Sequence, residues 1–115
     1  VDGLEAFMAG VERGRNIALA PELILAEAAN VVLKKYRLEE LHDEEHMLLL
    51  DDILSMPIRL FSHKPLILRS MNLAHEHELT VYDSLFLVLA VQQGAVLFSA
   101  DRKLMHVADR LNLTL

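Results

Sequence analysis

The chain has 115 residues, 53% of them hydrophobic and none of them cysteine, with 11 basic against 17 acidic residues and a net charge of −6. That length makes one domain, 1–115; the lack of cysteine excludes a disulfide framework and a thiolate zinc site, and the acidic balance counts against a non-specific nucleic-acid binder with a basic surface. The longest apolar run, Leu85–Val91, is far short of the ~20 residues of a membrane span, and the first residues carry no secretory-signal pattern, which fits a cytosolic protein with a Leu/Val/Ala core and apolar surface left for a partner.

In chain order, Leu4–Arg13 sets Leu4, Phe7, Met8 and Val11 at helical spacing, with Gly14 and Asn16 as its end. Ile17–Ala20 reads as a short strand. Pro21 suits the first turn of a helix, where its missing N–H would be unpaired anyway; that helix runs to about Tyr36 and places Glu27 on or beside its apolar face. Glu39–Ser55 is the next helix, with Leu41, Leu48 and Ile53 inward and Asp43, Glu44, Glu45, Asp51 and Asp52 outward. Ile58–Phe61 is a strand, Ser62 a cap, and Pro65 stands early in a helix to Glu78. Thr80 caps a helix that carries Asp83 in its first turn, runs to Gln93 and stops at Gly94. Ala95–Ser99 (AVLFS) reads as a buried strand, Asp101–Leu111 as the last helix, and Leu113–Leu115 as an edge strand after a turn at Asn112. Alternation at these lengths predicts an α/β fold of three α/β/α layers around a parallel sheet.

Two acids stand out in this order. Asp101 follows a strand directly, which places it at the carboxyl end of the sheet, where open α/β sheets build ligand sites. Asp83 starts a helix near the same edge. Two carboxylates facing one crevice repel each other unless a cation or proton lies between them, and Mg²⁺ prefers such oxygen ligands. Each acid also has a plain role, Asp83 at the positive end of a helix dipole and Asp101 as a helix cap. Glu27, flanked by Ala26, Ala28 and Ala29, has no comparable plain role. His42-Asp43-Glu44-Glu45-His46 fits H-x-x-E-H, but its acidic surroundings read as a solvated face. His75 and His77, two residues apart, point to different sides of a helix. No G-x-S-x-G or P-loop occurs.

Pro21-Glu22-Leu23 through Glu27-Ala28-Ala29-Asn30-Val31-Val32-Leu33, followed by Y-D-S-L-F-L-V-L-A from Tyr82 and L-F-S-A-D-R-K-L from Leu97, resembles the PIN domain, a metal-dependent ribonuclease fold, and most closely the VapC-type toxins of toxin–antitoxin pairs. The resemblance covers most of residues 4–115. It implies strand order 3-2-1-4-5, with a first strand that carries an aspartate in the centre. Here Val1-Asp2-Gly3 leads almost at once into a helix. A parallel sheet without its central strand leaves buried backbone groups unpaired at a cost, so the expectation is a further N-terminal segment, a strand from another chain, or a degenerate relative.

The resemblance further implies that Glu27, Asp83 and Asp101 are the catalytic residues and hold Mg²⁺ or Mn²⁺, which activates water for cleavage of an RNA phosphodiester, leaving 5′-phosphate and 3′-hydroxyl ends. Ser99 would support Asp101 or a bound water, and Arg102 and Lys103 would meet substrate phosphates. A homodimer and an antitoxin covering the acidic crevice are the implied partners. Two other readings stand beside this one: a catalytically inactive PIN-like module that pairs with itself or an antitoxin, and a receiver-like phosphoacceptor. The second is disfavoured, because it requires a lysine where the chain reads Asn112-Leu113-Thr114-Leu115.

Overall fold

A computed structural model describes residues 10, 11, 13, 14 and 16–115. The predicted helix at 4–13 lies largely outside them. The elements run β1 (Ala18–Pro21), α1 (Leu23–Arg37), α2 (Glu45–Leu54), β2 (Ile58–Phe61), a 3-10 turn (Lys64–Leu66) that leads into α3 (Ile67–His77), α4 (Val81–Gln93) and α5 (Arg102–Arg110). β1 and β2 pair in parallel, with Ala18 opposite Ile58 and Pro21 opposite Phe61. α1 and α2 form the crossover between them.

Pro21 ends the strand instead of opening the helix. Proline is tolerated at a strand end because the lost N–H leaves the rest of the ladder intact. The Glu22 N–H donates to the Phe61 carbonyl at 2.9 Å, which carries the pairing one residue further, and the helix starts at Leu23. α2 likewise starts at Glu45, six residues later than the pattern predicts. Glu39 adopts φ +60°, a conformation no helix continues. The His42 N–H then donates to Glu45 Oε1 at 2.9 Å, the backward half of a capping box. Asp43, Glu44, Glu45, Asp51 and Asp52 are exposed as expected, but Leu48 is 64% exposed. α2 packs chiefly on α1, so one apolar stripe suffices and Leu48 falls outside it.

The sequence of α4 is apolar on every side, the mark of a helix surrounded by protein. Leu85, Val88 and Leu89 pack with Leu66 and against Leu19, Leu23 and Phe61. Leu87 and Ala90, on the other flank, join Leu97, Leu104, Val107, Ala108 and Leu113. One helix therefore joins the β1–β2 half of the molecule to α5. Its ends are those the sequence predicts: Thr80 Oγ1 accepts the Asp83 N–H at 3.1 Å, and Gly94 closes the C-terminus at φ +60°, where a side chain would be strained.

The predicted strands at Ala95–Ser99 and Leu113–Leu115 do not form. One bond, from the Leu97 N–H to the Leu113 carbonyl at 2.6 Å, links them, and a strand needs a ladder. The other side of this segment faces an apolar cleft of about 600 Å³, lined by Ala18, Ala20, Ile58, Leu89, Val96 and Phe98 among others. β1 forms its opposite wall. Among the described residues the sheet has two strands, and the cleft lies between β1 and the segment 95–98. No helix among the described residues is long and apolar enough to cross a membrane.

Candidate functional site

Glu27 stands one turn into α1, exposed overall. Its carboxyl is held above the ordinary value of 4.5, first by partial burial and then by the negative charge of Asp83. That second cause brings two carboxylates from two helices within electrostatic reach of each other. Asp83 is half-buried in the first turn of α4, whose entry is fixed by the Thr80 cap. Removing that cap with Thr80→Ala is expected to cost about 1 kcal/mol of stability, measured by urea unfolding, and to loosen the turn that presents Asp83.

Asp101 is exposed and built differently. Its Oδ1 accepts the Leu104 N–H at 3.0 Å and so caps α5, and its own N–H donates to Ser99 Oγ at 3.1 Å. Ser99 thus shapes the turn at Asp101 through the backbone, as serine does in such turns. The three acids do not converge: among the described residues no group of three or more His, Cys, Asp or Glu side chains could hold a metal ion. Asp83 acts on the Glu27 carboxyl through its charge, while Asp101 stands at the cap of α5. Arg102 is exposed beside Asp101. Lys103 is occupied elsewhere: its Nζ donates to the Glu78 carbonyl at 2.6 Å, where Glu78 closes α3 in the left-handed conformation at φ +55°.

The two histidines of H-x-x-E-H sit in different surroundings. His42 lies before α2 and is exposed, while His46 stacks on Tyr36 with ring centroids 3.9 Å apart. Two further polar residues escape a reading of motifs. His63 Nε2 accepts the Leu23 N–H at 2.9 Å across forty residues of sequence, and α1 has no side-chain cap of its own. The signal for it was the end of β2 at Phe61, which puts residues 62–64 at the carboxyl edge. Ser84, next to Asp83, is fully buried, and its hydroxyl finds no partner among the described residues.

The raised Glu27 carboxyl has a consequence for stability. A group whose folded pKa exceeds its unfolded value favours the fold while protonated, and that contribution is lost as pH rises through the folded pKa. At neutral pH in EDTA, Glu27→Gln is therefore expected to melt at a higher temperature than the wild type. The gap should close as pH falls below the ordinary value of 4.5. A lower melting temperature for the variant at neutral pH would mean that the carboxylate makes a favourable contact instead.

Glu27 and Asp83 are hard oxygen donors. Mg²⁺ keeps several of its waters and commonly uses one or two carboxylates together with substrate phosphates, so this pair suits such an ion without a third protein ligand. A family model described as the PIN domain matches residues 4–110. No curated protein matches the chain. PIN domains are typically nucleases and generally use divalent metals, in keeping with a carboxylate pair at the edge of a parallel α/β sheet. By this match over nearly its whole length, and by the small parallel sheet with its helices, the chain belongs to the PIN domain family.

Proposed function

We propose that the chain is a Mg²⁺- or Mn²⁺-dependent endoribonuclease, the toxin of a VapC-type toxin–antitoxin pair, acting in the cytoplasm as a homodimer that an antitoxin restrains. The observation that carries this reading is the Glu27–Asp83 pair, each acid raised from a different helix and close enough for Asp83 to lift the Glu27 carboxyl. Glu27 and Asp83 would hold the cation, and the cation when bound supplies charge to stabilise the scissile phosphate and to acidify an attacking water. The chain's own part is to position: Thr80 fixes the turn of Asp83, Ser99 and the α5 cap fix Asp101, and Arg102 is free to meet a substrate phosphate. Exposed apolar side chains on α3 and at the start of α4, among them Leu68, Met71 and Tyr82, support a protein partner.

The test is cleavage of a structured RNA by the chain with Mg²⁺ or Mn²⁺, against the same reaction in EDTA. Metal-dependent cleavage supports the nuclease. The second reading is an inactive binding module; calorimetric Mn²⁺ binding without cleavage of any RNA would favour it.

A further inference from the structure

β1 and β2 are parallel and in register, so Phe61 and Pro21 end at the same sheet edge, and the loop Ser62–Lys64 begins there. Three contacts set this loop in place. His63 Nε2 accepts the Leu23 N–H at 2.9 Å, one turn before Glu27 on the same flank of α1. The Leu66 N–H donates to the His63 carbonyl at 2.8 Å and closes the turn. Leu66 itself is buried against Leu85, two residues beyond Asp83, and beside Leu23. The loop is thus wedged between the first turns of the two helices that carry the carboxylates. Lys64 stands on it, exposed, and forms no ion pair or hydrogen bond among the described residues.

A chain of net charge −6 that presents two carboxylates repels a polyanion, so a phosphate backbone crossing them needs a local cation. Lys103 is engaged with the Glu78 carbonyl. Lys64, on the loop tied to the first turn of α1 and leading to Leu66 in the cluster with Leu85, is an unengaged cation on a segment beside the pair. A lysine on a flexible stem acts as a point charge toward phosphate.

We propose that Lys64, positioned by His63, is a phosphate-binding residue of this site, and that a single-stranded RNA backbone crossing the carboxylate pair is held by it. The inference rests on the nuclease reading and deepens it by naming how the substrate is held. It is tested by fluorescence anisotropy of a short labelled single-stranded RNA bound to the full chain in EDTA, where cleavage is stopped, over a series of salt concentrations. Lys64→Ala should weaken binding about five-fold and flatten the log–log salt slope by about 0.7, the loss of one single-strand phosphate contact. Arg110→Ala, at the far end of α5, should change neither. His63→Leu should weaken binding in the same way and His63→Gln, which keeps an acceptor, should restore it, a rescue that a general loss of packing would not give.

Wild-type affinity and slope in Lys64→Ala, or equal losses in Lys64→Ala and Arg110→Ala, would overturn the proposal. If the wild type cleaves RNA and Lys64→Ala binds normally, the inference fails and the nuclease stands. A wild type that binds RNA through Lys64 but neither binds Mn²⁺ nor cleaves sinks the nuclease and keeps the RNA surface.

Discussion

Asp83→Asn is expected to reduce metal-dependent RNA cleavage by about 10³-fold, since a carboxylate holding the cation underwrites several kcal/mol of charge stabilisation in the transition state and 1.36 kcal/mol is tenfold in rate. The substitution keeps the side chain's shape. It leaves untouched the Asp83 backbone N–H that Thr80 caps, so thermal unfolding should move little: the small loss at the helix dipole, about 0.3–1 kcal/mol, is opposed by relief of the repulsion with Glu27. A second readout separates site from scaffold. In the variant the Glu27 carboxyl should titrate closer to 4.5 by NMR, without reaching it, because its larger cause, partial burial, remains. Retained cleavage would remove Asp83 from the site; an unmoved Glu27 titration would show that the two acids do not sense each other.

Leu87→Ala carries the largest expected effect on stability. Leu87 is 0% exposed in the cluster with Leu97, Leu104, Val107, Ala108 and Leu113, and truncating a leucine so enclosed costs about 2–5 kcal/mol. Domain stabilities of about 5–15 kcal/mol make that a large fraction of the whole. Leu68→Ala, at a position 78% exposed, should stay within about 0.5 kcal/mol. Urea unfolding of the two variants side by side tests whether α4 is the beam of the fold. Equal, small losses would mean that the cluster around Leu87 is loosely packed.

The elements that could be read from the chain are those whose signals are local. α4 was legible at both ends and along its length: Thr80 and Gly94 act through hydrogen bonds and dihedrals within a few residues, and an all-apolar helix has nowhere to go but inside. β2 was legible because four apolar or extended residues lie between two turns. The start of α2 was not, since it depends on the left-handed turn at Glu39 and on a side chain of Glu45 reaching back to His42. The strand at Ala95–Ser99 was misread for a different reason. Its composition is that of a strand, but a strand needs a ladder, and among the described residues one bond, from the Leu97 N–H, ties it to Leu113.

The candidate site divides along the same line. Sequence by itself determined which acids stand at helix starts, because capping is written in neighbouring residues: Asp83 after Thr80, and Asp101 as the cap of α5. The family pattern added Glu27. Only the tertiary structure decided which of these meet. It placed α1 and α4 so that Glu27 feels the charge of Asp83, gave Asp101 its cap, tied Lys103 to the end of α3, and brought His63 across forty residues to the start of α1. Those placements follow from how apolar flanks of separate helices pack on one another, a long-range sum that no local stretch of sequence contains.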